Sequence, residues 1–238
     1  MRIALIGYGK MGKAIERIAL TRGHEIVLKI DLDNGQDLTK EKLSKADVAI
    51  EFTGPASAPD NLLICAGFGI PVVCGSTGWL DLYPVIKEAF EKNRSAFLYA
   101  SNFSVGVNIF FELNKKLASL MARHGEYGVE MREIHHTQKK DAPSGTAITL
   151  AEQILEEIPG FKQWVNRQAE KPGELAILSE RKDPAPGTHS VRYYSPIDDI
   201  EIIHTAHSRE GFAGGAVLAA EFIQHKKGIF TMKDVLGF

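Results

Sequence analysis

The sequence predicts an α/β fold with two parts, a domain built on a parallel sheet and an α+β domain built on an open mixed sheet of about four strands. Three observations lead to this prediction. A short apolar strand at the start of the chain runs into a glycine-rich turn and a helix. Strand-like and helix-like segments then alternate through roughly the first hundred residues, as they do in parallel sheets. Beyond Glu126, strand-like runs dominate.

The first strand, Arg2–Ile6, is apolar from Ile3 onward and is followed, before a helical pattern, by Gly7-Tyr8-Gly9-Lys10-Met11-Gly12. Strand, glycine turn and helix in this order form the dinucleotide-binding fingerprint of a Rossmann-type domain. Gly7 permits the tight turn, Gly9 lets the backbone approach a pyrophosphate, and Gly12 lets helix and strand pack closely. We therefore predict that these six residues bind a nicotinamide cofactor.

The second strand, Glu25–Ile30, ends at Asp31. In Rossmann-type domains, a carboxylate at about this separation along the sequence from the glycine turn binds the ribose hydroxyls of the adenosine. It repels the additional phosphate of NADPH, whereas Lys10 and Lys29 are available to compensate its charge. Both NADH and NADPH are therefore candidate cofactors, and we expect NADH to serve at least as well as NADPH.

Each of the next three predicted strands, at 46–52, 71–74 and 96–100, ends in a segment suited to contact with the cofactor. Strand ends on this side of an open α/β sheet line the ligand crevice. The candidates at these ends are Phe52, Thr53, Gly75, Ser76, Thr77, Asn102 and Phe103. The alternative for the two glycine-containing turns is a turn without ligand contacts.

The second part of the chain begins with a long helix that carries one apolar face, followed by several strand-like runs. These runs lie at 128–134, 175–179, 189–194 and 200–207. They predict an open sheet carrying one helix, and a second subunit is one way to cover the other face of such a sheet.

The chain then returns to helix and ends in a capped turn, both of which we assign to the first domain. We predict a dinucleotide-binding domain formed by 1–101 and 208–238, and a substrate-binding and oligomerisation domain formed by 102–207.

Most of the reactive side chains lie in one run, His135-His136-Thr137-Gln138-Lys139-Lys140-Asp141-Ala142-Pro143-Ser144-Gly145-Thr146-Ala147. The preceding residues alternate as in a strand, so His135 and His136 should leave it on opposite faces, and alternation alone does not choose between them. Ser144-Gly145-Thr146 opens a helix whose first N–H groups favour a carboxylate or phosphate, and Lys139 would add a positive charge. The alternative is a structural corner in which the serine or threonine only caps the helix.

Composition limits the class of protein. The chain has 238 residues, 44% hydrophobic and 24% charged, with a formal net charge of -2, which gives no general attraction to nucleic acid. Its two cysteines, Cys65 and Cys74, lie in apolar segments and lack zinc-type spacing, so we expect no metal and a reducing compartment. We also expect no signal peptide, no membrane span and a cytoplasmic location.

The run from His135 to Ala147 resembles the signature of the 4-hydroxy-tetrahydrodipicolinate reductase (dihydrodipicolinate reductase) family of lysine biosynthesis. Further segments match the same family, including its Gly-Thr-Thr-Gly turn, which reads Gly-Ser-Thr-Gly here. These segments are Phe52-Thr53, Gly75-Ser76-Thr77-Gly78, Asn102 to Asn108, and Arg209 with the residues that follow it. The resemblance therefore covers both ends and the middle of the chain.

The resemblance implies an NAD(P)H-dependent oxidoreductase of lysine and diaminopimelate biosynthesis, generally a homotetramer, that reduces a cyclic dicarboxylate, 4-hydroxy-tetrahydrodipicolinate. It implies that His135 donates a proton and that Lys139 assists it and binds substrate. The substrate-binding residues would be His136, Lys139, Ser144, Gly145 and Thr146, and Arg209 would join the cofactor-binding set.

Two rival interpretations use the same sequence features. An amino-acid dehydrogenase of the aspartate type would keep the two-domain architecture and change the substrate, an interpretation that depends on analogy of fold alone. A nucleotide-sensing protein would bind NADH without turnover, but it would not need histidine and lysine beside an anion site.

Overall fold

The computed structural model describes residues 1–208 and 210–238, and the chain forms two compact units. The first unit contains Met1–Val105 and Glu210–Phe238, and the second contains Gly106–Arg209. The domain boundaries predicted from the sequence, after residues 101 and 207, lie a few residues before these.

The strands of the described residues form a six-stranded sheet in the first unit and a five-stranded sheet in the second. The first unit contains β1 (Arg2–Ile6), β2 (Glu25–Ile30), β3 (Val48–Glu51), β4 (Val72–Cys74) and β5 (Ala96–Tyr99). The second unit contains β6 (Gly128–His135), β7 (Gln163–Val165), β8 (Glu174–Arg181), β9 (Gly187–Tyr194) and β10 (Asp199–Ala206). The chain then supplies a last strand to the first sheet, β11 (Gly228–Phe230).

The described residues also contain eight α-helices. They are α1 (Lys10–Thr21), α2 (Lys40–Leu43), α3 (Ala58–Gly67), α4 (Tyr83–Lys92), α5 (Val105–Met121), α6 (Gly145–Glu157), α7 (Glu210–Ile223) and α8 (Met232–Leu236). The cap predicted for the final turn is present, because Thr231 and Asp234 form a reciprocal capping box at the start of α8.

The first sheet has the strand order β11-β5-β4-β3-β1-β2, and every pairing in it is parallel. Helices cover both faces: Ile15 of α1 and Val217 of α7 pack on one, and Leu62 of α3 and Phe90 of α4 pack on the other. Strands buried on both faces are rich in apolar residues, which explains the apolar runs at residues 3–6 of β1 and 48–50 of β3. The predicted Rossmann-type sheet is confirmed.

The second sheet has the order β10-β9-β6-β8-β7, with β6, β8 and β7 parallel and β9 and β10 antiparallel. Phe110 of α5 and Leu150 of α6 pack against it together with Val191 of β9. Along β6 the buried residues alternate, so Glu133 and His135 both lie on the face that the helices cover. The predicted mixed sheet of an α+β domain is confirmed.

The structure contains more elements than the sequence predicted. Two helices rather than one pack on the second sheet, and that sheet has five strands because β7 adds to one edge. The first sheet gains β11 at an edge. Both additional strands have three residues, which is too short to show the two-residue period of a strand.

Two neighbouring glycines of α7 differ in their surroundings, and we expect opposite effects of the same substitution. A Cβ atom at Gly215 would lie 1.8 Å from the carbonyl oxygen of Phe103, so Gly215→Ala must displace backbone. We expect a loss of about 3 kcal/mol or more of unfolding free energy, measured by urea denaturation.

The matched variant is Gly214→Ala, one residue earlier in the same helix. Here the nearest atom to a new Cβ is the end of the Ile18 side chain, at 4.0 Å. Because alanine is the better helix former, this variant should gain about 0.5–1 kcal/mol. Equal effects of the two substitutions would contradict the close packing of Gly215.

Candidate active site

An open cleft of about 540 Å³ lies at the carboxyl ends of β1, β2 and β3 in the first unit. This edge of an open parallel sheet is its usual ligand crevice. The lining residues are Gly7, Gly9, Ile30, Asp31, Leu32, Gly35, Phe52, Thr53, Gly54, Pro55, Ala56, Ser57 and Asn61. The cleft therefore includes five of the residues predicted to bind the cofactor, namely Gly7, Gly9, Asp31, Phe52 and Thr53.

The geometry of the glycine turn suits a pyrophosphate. Gly7 has a φ of 96°, and a Cβ atom at Gly12 would lie 2.3 Å from the carbonyl oxygen of Gly7, so both positions need glycine. A Cβ atom at Gly9 would meet no atom within 4 Å, which leaves that side of the turn open to a ligand. Gly9 caps α1 without a side-chain hydrogen bond, and the N–H groups of the first turn can thus receive an anion.

Lys29 is already paired within the protein. Its Nζ lies 2.6 Å from Oε1 of Glu16 and donates a hydrogen bond of 3.3 Å to the hydroxyl of Tyr8, which in turn donates to Glu16. Hydrogen bonds from Lys29 and Tyr8 lower the pKa of Glu16. Lys29 is therefore engaged with Glu16, whereas the sequence had suggested that it compensates the charge of Asp31.

Asp31 and Leu32 directly follow β2 and line the cleft. Oδ1 of Asp31 accepts a hydrogen bond from the backbone N–H of Leu32 at 2.9 Å, while the backbone N–H of Asp31 donates to Asn34 at 2.6 Å. The Leu32 side chain is fully exposed where it lines the cleft. An exposed leucine at such a place suits contact with an apolar ring face.

A buried carboxylate supports the next part of the cleft. Glu51, the last residue of β3, is 0% exposed and accepts hydrogen bonds from the backbone N–H of Thr53 at 2.9 Å and from the Cys74 thiol at 3.1 Å. A Cβ atom at Gly75 would lie 2.2 Å from the Phe52 ring, so that ring requires a glycine beside it. Glu51 and Gly75 therefore fix the positions of Thr53 and Phe52.

The remaining predicted cofactor residues of the first unit do not line this cleft. They are Tyr8, Lys10, Met11, Gly12, Gly75, Ser76, Thr77, Asn102 and Phe103. Phe103 is buried in the core, with its ring centroid 5.7 Å from that of Phe52. It therefore packs against a residue that lines the cleft without lining the cleft itself. Arg209 lies outside the described residues.

In the second unit, His135 ends β6, and Glu133 lies two residues earlier on the same face. His135 is 7% exposed, and Glu133 is 0% exposed. Nδ1 of the imidazole lies 3.4 Å from Oε2 of Glu133, which is ion-pair range, although the contact lacks the geometry of a hydrogen bond. The structure therefore places a buried carboxylate beside His135. His136, the next residue, is half-buried.

Three other groups converge on Glu133. Arg181 donates to its Oε1 at 3.1 Å, and the backbone N–H of Ser144 donates to its Oε2 at 3.0 Å. Nε2 of His189 lies 3.8 Å from the same Oε2 and 3.0 Å from the Ser144 hydroxyl. Glu133 is thus fixed on several sides by hydrogen bonds and charge.

Ser144 is also the N-cap residue of α6, the helix whose start is predicted to bind a carboxylate. Its side chain accepts a hydrogen bond from the backbone N–H of Ala147 at 3.2 Å, and Gly145 is the first residue of α6. The first turn of α6 contains no acidic residue, which leaves the positive end of the helix dipole uncompensated. The start of α6 can therefore attract an anion, and the binding of a carboxylate there stays a prediction.

Lys139 follows in the loop and pairs with Asp141, with Nζ 2.8 Å from Oδ2. Arg181 donates to the carbonyl oxygen of Asp141 at 2.5 Å, which ties this loop to β8. Thr137 donates through its hydroxyl to Asp183 at 2.6 Å. Lys139 is three-quarters buried, and one weakly buried carboxylate holds it.

The surroundings set the protonation of these groups. Burial lowers the pKa of His135, the charge of Glu133 opposes that effect, and Lys139 and Arg181 lower it further. Burial alone would raise the pKa of Glu133, but hydrogen bonds, led by those from Ser144, outweigh it and keep the pKa below its usual value. Burial lowers the pKa of His189 to about 3, so this imidazole is neutral at physiological pH.

Glu133, His135 and His189 each bring one potential ligand atom to within 4.8 Å of the others. Two histidines and a carboxylate are a common zinc-binding set. Here, however, the guanidinium of Arg181 and the N–H of Ser144 already occupy the two carboxylate oxygens. A cation at this place would have to displace the N–H and lie beside the arginine, so the cluster is better described as a hydrogen-bonded network.

The sequence did not identify Glu133, Arg181 or His189 as site residues. Glu133 could have been found, because it lies two residues before His135 on a predicted strand. In the register of the sheet, Arg181 of β8 lies opposite His135 of β6, and His189 of β9 lies opposite Glu133 of β6. Only the strand register brings them to the site, and one sequence does not reveal which strands become neighbours.

Comparison with protein families matches nearly the whole chain. The family described as "Dihydrodipicolinate reductase, N-terminus" matches residues 1–103, and "Dihydrodipicolinate reductase, C-terminus" matches residues 106–236. The first range ends close to the end of the first segment of the first unit, whereas the second range covers the second unit together with the C-terminal segment that returns to the first unit.

Curated relatives carry one name. A 4-hydroxy-tetrahydrodipicolinate reductase of Christiangramia forsetii is 54% identical over 238 residues, covering 100% of this chain and 98% of the relative. One of Methanosarcina acetivorans is 38% identical and covers 99% of this chain and 89% of the relative.

Solved structures agree with this relationship. A dipicolinate-bound dihydrodipicolinate reductase from Paenisporosarcina sp. TG-14 has a TM-score of 0.77 at 25% identity, with 97% of each chain covered. An aspartate dehydrogenase from Thermotoga maritima has a TM-score of 0.51 at 13% identity, over 97% of this chain and 99% of that one, a likeness that shows the fold alone.

Among the described residues, no helix is both long enough and apolar enough to cross a bilayer.

The predicted oxidoreductase function in lysine and diaminopimelate biosynthesis is confirmed at the level of the family, and the first domain is a nucleotide-binding Rossmann domain. With both family regions matched in order and a full-length relative at 54% identity, the chain belongs to the dihydrodipicolinate reductase family, whose members are 4-hydroxy-tetrahydrodipicolinate reductases.

Proposed function

We propose that this chain reduces 4-hydroxy-tetrahydrodipicolinate, with hydride from NAD(P)H and a proton from His135. The observation that carries the proposal is the buried Glu133–His135 pair, which directly precedes a loop lysine and the Ser144-capped start of α6. An imidazole, an ammonium group and a helix N-terminus together supply an acid and two attractions for carboxylate.

The two units have different roles in the proposed reaction. The turn at Gly7, Gly9 and Gly12 leaves room for a pyrophosphate beside the start of α1, and the bound nicotinamide would supply the hydride. In the second unit, Lys139 and the start of α6 attract the carboxylates of the substrate. We assign cofactor binding to the first unit and substrate binding and oligomerisation to the second.

The substrate class follows the same chemistry. Loss of water leaves a conjugated imine, which accepts hydride at ring carbon 4. The resulting enamine has carbanion character and must take a proton at the neighbouring carbon. His135 is the proposed acid, Lys139 assists it, and His136, Gly145 and Thr146 contact the substrate. The dipicolinate of the Paenisporosarcina complex is a planar dicarboxylate of this kind.

A coupled assay tests the proposal. Pyruvate, aspartate semialdehyde and the upstream synthase generate the substrate, and oxidation of NADH or NADPH is followed at 340 nm. We expect turnover that dipicolinate inhibits. Absence of turnover here together with NAD-dependent oxidation of aspartate would replace the reductase by an aspartate dehydrogenase.

We further propose that NADH serves at least as well as NADPH. Asp31 faces the cleft, and the next residue is an exposed leucine rather than a cation. Lys29 is held by Glu16. A ribose 2′-phosphate would therefore meet a carboxylate, and no guanidinium lines the cleft in the described part of the chain. Michaelis constants that strongly favour NADPH would refute this preference.

Replacing Leu32 by arginine should shift the preference towards NADPH. A guanidinium at this position can form a bidentate pair with a phosphate, which is worth about 1.5–3 kcal/mol. We expect the Michaelis constant for NADPH to fall about tenfold or more, while the constant for NADH changes little.

The control variant is Leu20→Arg, which adds the same charge at an exposed leucine of α1 that does not line the cleft. It separates local phosphate binding from a general effect of charge on an anionic cofactor. An equal shift in both variants would show that position 32 does not face the ribose.

A homotetramer is part of the proposal. One face of the second sheet has no helix on it in the described residues, and it carries charged residues of both signs, including Arg192 and Asp199 in an ion pair of 2.5 Å. Exposed Ile203 and Tyr194 lie on the same strands. Copies of the chain would cover this face, and light scattering that gives a monomer at micromolar concentration would exclude it.

We also propose a cytoplasmic location. Cys65 and Cys74 are both free and buried, which suits a compartment that keeps thiols reduced. Cell fractionation that finds the protein in an oxidising compartment would exclude it.

A further inference from the structure

The two ring nitrogens of His135 have different neighbours. Nδ1 is buried and has no hydrogen-bond partner among the described residues, but it lies 3.4 Å from Oε2 of Glu133. A rotation of the ring by a few degrees would bring this pair into hydrogen-bond geometry. The Nδ1 edge therefore faces an anion inside the protein.

The Nε2 edge lies beside Gly187, the first residue of β9. A Cβ atom at Gly187 would stand 3.1 Å from Nε2. Because glycine has no side chain, no Cβ atom crowds Nε2 on this side. The Nδ1 edge faces Glu133 inside the protein, which leaves the Nε2 edge for a reacting molecule.

Glu133 is well suited to hold the ring in this orientation. Arg181 and the N–H of Ser144 fix one carboxylate oxygen each, so the carboxylate cannot rotate without losing two hydrogen bonds. These donors also keep Glu133 ionised, since they stabilise the charged form. A fixed, ionised carboxylate beside Nδ1 favours the tautomer with a proton on Nδ1, and it stabilises the imidazolium.

We propose that Glu133 is a positioning residue for His135, that it holds the proton on Nδ1, and that the proton donated in the reaction leaves from Nε2. The proposal rests on the proposed function, in which His135 is the acid. It assigns a role to Glu133, to Gly187 and to each nitrogen of the imidazole.

The proton-transfer step balances as follows. After hydride has been added at ring carbon 4, the electron pair of the enamine forms a C–H bond with the proton on Nε2. The electrons of the Nε2–H bond remain on the ring as a lone pair. His135 is then neutral, with its other proton on Nδ1 facing Glu133, and solvent water returns a proton to Nε2.

Glu133→Gln tests the role of the charge at nearly constant size. We expect kcat to fall about 10–100-fold while the Michaelis constant for the substrate changes less than about threefold, because the glutamine neither contacts substrate nor stabilises the imidazolium. Glu133→Asp should recover part of kcat, since it restores the charge at a greater distance from the ring.

The pH dependence gives a readout that loss of folding would not move. His135 faces Glu133 on its own strand, Lys139 and Asp141 in the loop, Arg181 on β8 and His189 on β9. Only Glu133 changes in the variant. Since its charge raises the pKa of His135, Glu133→Gln should lower that pKa, and the fall of kcat/KM with rising pH should begin at lower pH than in the wild-type protein.

Nitrogen NMR of histidine reports the tautomer directly. In the wild-type protein above the pKa of His135 we expect the Nδ1–H form, identified after assignment with His135→Gln. In Glu133→Gln we expect a substantial share of the Nε2–H form. A wild-type imidazole in the Nε2–H form, or an unchanged tautomer in the variant, would overturn the proposal.

Two controls separate this test from others. Glu180→Gln removes a carboxylate from an exposed position of β8 and should leave kcat and the pH profile unchanged. Unchanged thermal unfolding and dipicolinate binding in Glu133→Gln would show that the site is intact. If the wild-type protein lacked turnover, the proposed function would fail; if it turned over and Glu133→Gln matched it at every pH, only the present inference would fail.

Gly187→Ala tests the other edge of the ring. A methyl group 3.1 Å from Nε2 would crowd that nitrogen, and at a φ of 159° the alanine also strains its own backbone, so unchanged thermal unfolding is the control for this variant. We expect a fall in kcat of about tenfold or more with an unchanged Nδ1–H tautomer. Full turnover in this variant would mean that the proton does not leave from Nε2.

Discussion

Replacing His135 by glutamine should lower kcat about 100–1,000-fold, with little change in the binding of NADH. General acids contribute about this much to proton-transfer steps, and glutamine cannot donate a proton at neutral pH. The expected pH profile also changes: the decline of kcat/KM with rising pH, which reports loss of the imidazolium, should disappear. The measurement is a steady-state series in the coupled assay between about pH 5.5 and 9.

The appropriate control is His124→Gln. This histidine has a side chain that is 55% exposed, and its contact is an ion pair of 3.1 Å with Glu126. We expect its kinetics and pH profile to match those of the wild-type protein. Full turnover in His135→Gln would remove the proposed acid, and it would leave the family assignment in place because that depends on the sequence comparisons.

Replacing Lys139 by methionine should lower kcat/KM for the substrate about 100-fold. The Lys139 side chain is three-quarters buried, and within the described residues its ion pair is with Asp141 alone. A carboxylate of the substrate can compete for the ammonium group, and a hydrogen bond to a charged group is worth about 1.5–3 kcal/mol. Methionine keeps most of the apolar stem of the side chain and removes the ammonium group with its charge and N–H donors.

Lys140→Met provides the matched comparison at the adjacent, exposed residue. It makes the same change in net charge, so a general electrostatic effect on a dicarboxylate would appear in both variants. We expect a decrease of less than about threefold for Lys140→Met. Similar losses in the two variants would argue that the charge of the loop, rather than the position of Lys139, binds the substrate.

The first unit followed from local sequence because its fingerprint is local. Strand, glycine turn and helix are consecutive from Arg2 to Thr21, and each glycine has a steric role that can be stated before the fold is known. The pairing of Lys29 with Glu16 could not be predicted in the same way. It depends on the side-chain directions of β2 and α1, and a lysine near a binding site is equally compatible with a free cation.

The second unit shows where one sequence stops being informative. Strand alternation placed the two histidines on opposite faces, and the structure shows His135 buried beside Glu133 and His136 half-buried. The partners from β8 and β9 depend on register, which is set by long-range pairing. The network around Glu133 therefore could not be predicted without knowing which strands pair in the sheet.

The position of β11 has a consequence for synthesis on the ribosome. The first sheet needs Gly228–Phe230 as an edge strand beside β5, and Gly215 of α7 packs against Phe103, yet these segments follow the entire second unit in the chain. The first sheet therefore stays incompletely covered until Phe230 has been translated, whereas the inserted unit is continuous in sequence and can fold earlier. Termination before α7 would thus damage the domain whose synthesis began first.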